Sequence, residues 1–176
     1  MKKSFIFVAI LLAMTVSCKN QKGAADADSD LITRDNRPVP DFSKGVLTEE
    51  ILWYFGRVSA PEVSPDGKTL LYSVKYFDYT KDKGNAELYT IPVAGGEPTQ
   101  ITTTPASEAQ AIWRPDGKKI AFLYPADGVM QIFECDLDGG NRTQLTHVES
   151  DINGFSYSPD GKHIAGVEQV DRKSVV

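Results

Sequence analysis

The sequence predicts an all-β fold, an incomplete β-propeller of about 2.7 four-stranded blades. Three observations support this prediction. The tetrapeptide Pro-Asp-Gly-Lys occurs at 65–68, 115–118 and 159–162. A second unit at residues 88–102 is repeated 44 positions later at 132–146. Each period also has room for four strand-like segments, which is the content of one propeller blade.

The two repeated motifs share one period of 44 residues. The first interval between the tetrapeptides is 50 residues because residues 77–85 contain an insertion of about six residues. An immunoglobulin-like sandwich has strands at similar spacing, but it does not repeat its sequence. Blades 1 to 3 are predicted over residues 58–176, with the third blade truncated. Propellers close with roughly 4 to 8 blades, so we expect the chain to be part of a longer protein.

Each Pro-Asp-Gly is predicted to be a turn between two antiparallel strands. Pro fixes φ, Asp bonds back to the backbone, and Gly adopts a positive φ. The strand after each turn is apolar on both faces, at 70–72, 120–123 and 164–167, so we expect it to be covered on both sides. The strand that follows alternates apolar and polar residues, so we expect it to bury one face. The predicted turn residues are Pro65, Asp66, Gly67, Pro115, Asp116, Gly117, Pro159, Asp160 and Gly161.

Residues 1–17 are predicted to be a lipoprotein signal peptide, in which two lysines precede an apolar run too short to span a bilayer. Residues 15–18, Thr-Val-Ser-Cys, resemble a bacterial lipobox in which Thr stands where Leu is usual. Acylation is therefore expected at Cys18. An ordinary secretory signal that ends near a cysteine is the alternative. We expect an exported protein held in the cell envelope, on a periplasmic or outer-membrane face, with the lipid as its membrane contact.

Residues 18–45 are polar and include an acidic run, which predicts a flexible tether. The acidic run lacks the Gly and the distant Glu of an EF-hand calcium loop. Residues 46–57 are predicted to contain a lead-in helix, with Thr48 as N-cap and Gly56 at its end. The formal net charge is −5 and no cluster of basic residues is present, which argues against nucleic acid as a partner.

No catalytic, metal-binding or cofactor-binding residue is predicted in this chain, and no cofactor is expected. Residues 154–158 come nearest to a nucleophile elbow, but they lack its second Gly and lead into a hairpin turn. His147 and His163 occupy separate positions at strand ends of the repeat, where a structural role is expected.

Repeat alignment places the second cysteine and one tryptophan in the core. Cys135 occupies the position of Ile91, and Trp113 shares its position with Val63 and Tyr157. Both positions are expected to be buried. If Cys18 is lipidated, Cys135 has no intramolecular disulfide partner.

The insertion at 77–85 breaks the repeat and is the predicted functional segment, because loops on rigid scaffolds often carry function. Phe77, Asp78, Tyr79 and Lys81 are its candidate residues for contact with a substrate or with a further domain. A variable surface loop is the alternative.

Residues 47–50, 57–61 and 63–74 resemble the N-terminal part of bacterial serine peptidases of the prolyl oligopeptidase family, in the branch of acylaminoacyl and dipeptidyl peptidases. The resemblance implies a propeller of six to eight blades followed by an α/β-hydrolase domain with a Ser, Asp, His triad. The propeller would act as a lid that admits short peptides and excludes folded proteins. The triad would lie outside these 176 residues.

Two functions remain open on the sequence. The first is the gating propeller of an exported serine peptidase that acts on short peptides, inactive without its hydrolase domain. The Pro-Asp-Gly turns are shared with TolB-type propellers, so the alternative is a non-enzymatic TolB-like lipoprotein that binds a partner protein.

Overall fold

The computed structural model describes residues 31–168. The predicted signal peptide at 1–17, the predicted lipidation site Cys18, the first part of the predicted tether and residues 169–176 lie outside the described residues.

One short helix and ten strands follow one another along the described residues. They are α1 (Glu49–Tyr54), β1 (Arg57–Val63), β2 (Thr69–Asp78), β3 (Lys83–Pro92), β4 (Thr99–Gln100), β5 (Ala109–Trp113), β6 (Lys119–Ala126), β7 (Val129–Asp136), β8 (Thr143–Gln144), β9 (Ile152–Tyr157) and β10 (Ile164–Glu168). The strands form three antiparallel sheets in the orders β1-β2-β3-β4, β5-β6-β7-β8 and β9-β10. The predicted fold class is confirmed, with two four-stranded blades and two strands of a third.

The Pro-Asp-Gly turns join the first strand of each blade to the second. In blade 1 the amide of Gly67 donates to the carbonyl oxygen of Ser64 at 2.8 Å. Oδ1 of Asp66 accepts from the amide of Lys68 at 3.1 Å. The turn glycines adopt the positive φ that favours glycine: 73° at Gly67, 68° at Gly117 and 66° at Gly161.

The second strand of a blade is covered on both faces when a complete sheet and a following blade surround it. In β6, Ile120, Ala121 and Phe122 have no exposed surface. In β10, by contrast, residues 165–168 are exposed, so the predicted two-sided cover is wrong there. The reason is that β10 pairs with β9 alone in the described structure, and no further blade lies beside it there.

Adjacent blades are joined through the last residue of the first strand. The indole N–H of Trp113 donates to the carbonyl oxygen of Glu62 in blade 1 at 3.2 Å. The hydroxyl of Tyr157 donates to Glu134 in blade 2 at 2.7 Å. Val63 holds the same repeat position in blade 1 and is 57% exposed, because no described blade precedes it. The core position predicted for Val63 is therefore wrong.

The core consists of two clusters, each shared between neighbouring blades. The first cluster is formed by Leu71, Leu88, Ile101, Ala111, Trp113, Ile120, Phe122 and Cys135. The second is formed by Ala121, Leu123, Ile132, Ile152 and Phe155. Cys135 is 1% exposed and free, and burial raises the pKa of its thiol to about 11. Cys135 is therefore the buried, unreactive residue that the repeat predicts.

Helix α1 lies within the segment 46–57, where the lead-in helix is predicted. Thr48 is its N-cap as predicted, and its hydroxyl accepts from the amide of Ile51 at 3.4 Å. Phe55 is already extended, with ψ of 134°, so the helix has ended before Gly56. Arg57 then begins β1 and pairs with β2.

Residues 31–40, which the polar composition places in the flexible tether, include buried side chains that contact the helix and blade 1. Ile32 is 2% exposed and Arg37 is 6% exposed. The Arg37 guanidinium carbon lies 4.5 Å from the ring centre of Tyr54 and 4.6 Å from that of Tyr76. Nη1 of Arg37 also donates to the carbonyl oxygen of Tyr54 at 2.8 Å. A single arginine with aromatic and carbonyl partners thus holds this part of the predicted tether in place.

Blades 1 and 2 approach each other closely at Gly139. A Cβ added there would collide with the carbonyl oxygen of Ile101 in blade 1. The repeat counterpart, Gly95, has no atom within 4 Å of such a Cβ. Both glycines have a positive φ, 81° at Gly139 and 90° at Gly95.

We expect Gly139→Ala to lower the free energy of unfolding of the full chain by about 2–4 kcal/mol, because the methyl group adds a steric clash between blades to the backbone strain. Gly95→Ala is the matched control and should cost only about 1 kcal/mol, from backbone strain alone. Denaturant unfolding measures both values. Equal losses would show that the close approach of the blades at Gly139 contributes nothing.

Candidate functional site

The insertion at 77–85 lengthens the hairpin of β2 and β3 instead of forming a long loop. Phe77 pairs with Gly84, and Asp78 pairs with Lys83. The turn at 79–82 closes the hairpin. Strands β2 and β3 have 10 residues each, whereas β6 and β7 in blade 2 have 8 each. The hairpin of blade 1 therefore extends further, away from the Pro-Asp-Gly turns.

Asp78 holds the turn of this hairpin in shape. Its side chain is nearly buried, and Oδ1 accepts from the amide of Thr80 at 3.0 Å and from its hydroxyl at 2.6 Å. Nζ of Lys81 lies 3.9 Å from Oδ2. Burial alone would raise the pKa of Asp78, but the hydrogen bonds from Thr80 and Lys81 and the charge of Lys81 together lower it. Asp78 is an ionised structural residue of the turn.

Helix α1 packs on the same hairpin through aromatic and cationic side chains. The rings of Trp53 and Phe77 meet edge to face with centres 5.1 Å apart. The Arg57 guanidinium carbon lies 4.3 Å from the ring centre of Trp53 and 4.5 Å from that of Phe77. Nζ of Lys75 lies 5.1 Å from the ring centre of Phe77. These contacts fix the helix to the end of the hairpin.

A shallow cavity of about 160 Å³ opens between the helix and the hairpin turn, and we call it the tip cavity. Its lining residues are Trp53, Phe77, Asp78, Tyr79, Asp82 and Lys83. Ligand pockets for small molecules span roughly 300–1,000 Å³, so the tip cavity accommodates one side chain and not a peptide.

Exposed apolar side chains continue from the tip cavity along the helix, and we call them the α1 face. It consists of Leu47, Leu52, Trp53 and Phe55, each between 41% and 67% exposed. Tyr79 on the hairpin turn is 40% exposed. Several exposed apolar side chains so close together in the chain make this helix a candidate contact surface for another protein surface.

The described residues contain no arrangement for nucleophilic catalysis. Ser156 is exposed on β9, and its hydroxyl donates to the carbonyl oxygen of Tyr157 at 3.3 Å. His147 and His163 are exposed in different parts of the repeat. Within residues 31–168 no three His, Cys, Asp or Glu side chains are grouped to hold a metal ion. In the same range, no helix is long and apolar enough to cross a membrane.

The sequence interpretation missed the roles of Arg37, Trp53 and Arg57 at this end of the domain. It also missed a buried pair of carboxyl groups, Glu87 and Glu108, at the contact between blades 1 and 2. Repeat alignment contained a signal for one of them, since Gln131 stands at the position of Glu87.

The chain is similar in sequence to one named peptidase and in fold to parts of two others. Dipeptidyl-peptidase 5 of Porphyromonas gingivalis is 41% identical over 86 residues, which are 49% of this chain and 13% of that protein. Acylaminoacyl peptidase of Pyrococcus horikoshii superposes with a TM-score of 0.56 over 69% of this chain and 18% of its own, at 19% identity. The β-propeller domain of the Trilobed protease of Pyrococcus furiosus gives a TM-score of 0.52 at 20% identity, over 65% of this chain and 35% of its own.

At these identities the two structural matches show the fold alone. The matched segment is only a small part of the dipeptidyl-peptidase relative. The family model described as PD40, TolB beta propeller domain, matches residues 47–176, which is most of the chain. This chain therefore belongs to the family of TolB β-propeller domains.

Proposed function

We propose that the chain is the propeller part of an exported serine peptidase of the prolyl oligopeptidase type that cleaves short peptides. The observation that supports it is the 41% identity to a dipeptidyl-peptidase across 86 residues. In this proposal the propeller restricts access by size and positions the substrate. The Ser, Asp, His triad belongs to an α/β-hydrolase domain that follows the propeller.

The α1 face and the tip cavity supply a contact surface for that hydrolase domain. The tip cavity is too small for a peptide but accommodates one side chain of a packed neighbour. Leu52 on the helix and Phe55 directly after it are more than half exposed, whereas Ile51 on the helix is 6% exposed. Burying such side chains against a second domain is favourable by about 1.5–3 kcal/mol each.

A TolB-like propeller that binds a protein partner is the second candidate. The match to the TolB propeller model over residues 47–176 supports it, because the Pro-Asp-Gly turns do not distinguish the two functions. The coding sequence beyond Val176 and an activity measurement distinguish them.

We expect the longer reading frame to encode Gly-x-Ser-x-Gly followed by Asp and His. We also expect the purified full-length protein to release fragments from short peptides, and a fluorophosphonate that modifies the serine should abolish this activity. A propeller followed directly by a stop codon, or a full-length protein without peptidase activity, would exclude the peptidase and leave the partner-binding propeller.

The contact between the α1 face and a hydrolase domain is tested by Leu52→Ala in the full-length protein. If Leu52 is buried between domains, the substitution should cost about 2–4 kcal/mol of unfolding free energy. Val93→Ala is the control, since Val93 is 57% exposed at the end of the β2–β3 hairpin that lies away from the helix. Its substitution should lower the unfolding free energy by no more than about 0.5 kcal/mol. Equal small losses for both variants would place the hydrolase domain elsewhere.

We further propose that the protein is exported and anchored in the cell envelope by a lipid on Cys18. The support is the apolar run before Cys18 and the polar residues directly after it. Mass spectrometry of the mature protein should find an acylated Cys18 as the first residue. Cys18→Ser should move the protein from the membrane fraction to the soluble fraction. An unmodified N-terminus downstream of Cys18 would contradict the anchor.

A further inference from the structure

Two carboxyl groups are buried together where blade 1 meets blade 2. Glu87 lies on β3 and has no exposed surface. Glu108 immediately precedes β5 and is 2% exposed. Carboxylates are rarely buried this completely unless cations or hydrogen-bond donors surround them.

Hydrogen bonds from the segment between the blades hold both side chains. Oε1 of Glu87 accepts from the side-chain amide of Asn85 at 2.7 Å and from the backbone amide of Thr104 at 3.0 Å. Glu108 accepts from the hydroxyl of Thr102 at 3.0 Å and from that of Thr104 at 2.7 Å. Residues of β3 and of the segment that leads into blade 2 therefore meet in one network.

The second carboxyl oxygen of Glu87 is unsatisfied in this network. Oε2 of Glu87 is buried and receives no hydrogen bond. Glu108 lies beside Glu87, because Thr104 binds both: its amide donates to Glu87 and its hydroxyl to Glu108. Two ionised carboxylates only accept, so a hydrogen bond between them requires a proton on one of the two.

The corresponding position in blade 2 indicates which protonation state of Glu87 fits this site. Gln131 stands at the repeat position of Glu87 and is 2% exposed. Its Oε1 accepts from the amide of Val148 at 3.2 Å, as Glu87 accepts from Thr104. Its Nε2 donates to the carbonyl oxygen of Val148 at 2.8 Å. Blade 2 thus fills the position with a neutral side chain that has one acceptor and one donor, which is what a protonated Glu87 would also offer.

If both carboxyl groups are ionised, the single cation beside them leaves one negative charge uncompensated. Nη1 of Arg142 lies 3.6 Å from Oε1 of Glu108, and its guanidinium carbon lies 3.8 Å from the ring centre of Tyr124. Tyr89 and Cys135 also face the pair and are neutral, since burial raises the pKa of both. Among the described residues Arg142 is the cation that forms an ion pair with Glu108.

We propose that Glu87 and Glu108 share one proton and act as a pH-sensitive latch between blades 1 and 2, closed while the proton is held and weakened when both groups ionise. In the closed state the shared proton gives Oε2 of Glu87 a hydrogen bond, and one negative charge remains opposite Arg142. Open, it places two negative charges in a buried site with one cation, which is unfavourable.

The direction of the pH dependence follows from burial. Burial raises the pKa of Glu87 above its ordinary value, and it raises that of Glu108 from 4.5 to about 7. A group whose pKa is higher in the folded state than in the unfolded state contributes full stability below the unfolded value. That contribution is lost as the pH rises from about 4.5 through about 7.

Infrared spectroscopy of the full chain, labelled with ¹³C at the glutamate carboxyl groups, observes the proton directly. We expect a C=O stretching band of a protonated carboxyl group at about pH 6, where exposed carboxyl groups are ionised, and its loss at about pH 9. The band should be absent from Glu87→Gln, while Glu149→Gln, which removes an exposed carboxyl group, should leave it unchanged. A wild-type spectrum without the band at about pH 6 would overturn the proposal, and this measurement requires no variant to fold.

Unfolding equilibria measured across the same pH range provide the second readout. The folding equilibrium constant of the wild type should fall by up to about 100-fold between pH 5 and pH 8 relative to that of Glu87→Gln. Gln131→Glu places an ionisable group at the same repeat position in blade 2. It should therefore add a second decrease of the folding equilibrium constant as the pH rises. If Glu87→Gln shows the same pH dependence as the wild type, the latch does not exist.

Discussion

The contact between neighbouring blades determines the rest of this structure, because a four-stranded sheet cannot bury both of its own faces. Each core cluster contains residues from two blades, and residues such as Phe122 and Leu88 have no exposed surface only because the neighbouring sheet covers them. In repeat proteins of this kind, stability depends on the interfaces between units as well as on the units themselves. The core residues and the exposed edges of the described chain follow from that constraint.

Repeat positions show the same constraint at single residues. Trp113 and Tyr157 each donate a hydrogen bond to the blade before them, whereas Val63 at the same position is exposed. Likewise Gln131 and Glu87 share a position, but only Glu87 has a second carboxyl group facing it across a blade contact. The repeat thus supplies the framework, and the differences between blades locate the features specific to this protein.

Sequence reasoning identified the blades because their signals are local. A Pro-Asp-Gly turn and an apolar strand are encoded within a few residues and recur at a fixed period. It could not identify Arg37, whose partners Tyr54 and Tyr76 are brought together only by folding, so the segment around it was assigned to the tether. It also assigned residues 77–85 to a loop, because a lengthened hairpin and a loop insertion have the same polar composition. Pairs such as Glu87 and Glu108 depend on contacts between blades, which the sequence of one blade does not show.

Native-state hydrogen exchange of the full chain tests most directly whether the blade contacts hold this structure together. If they do, the central amides of β2 and β3 in blade 1 and of β6 and β7 in blade 2 should open with the same free energy, as one cooperative unit. Strands β9 and β10, which form a sheet of only two strands in the described structure, should open more easily. Separate opening free energies for blades 1 and 2 would contradict the account, since each blade would then be stable without its neighbour.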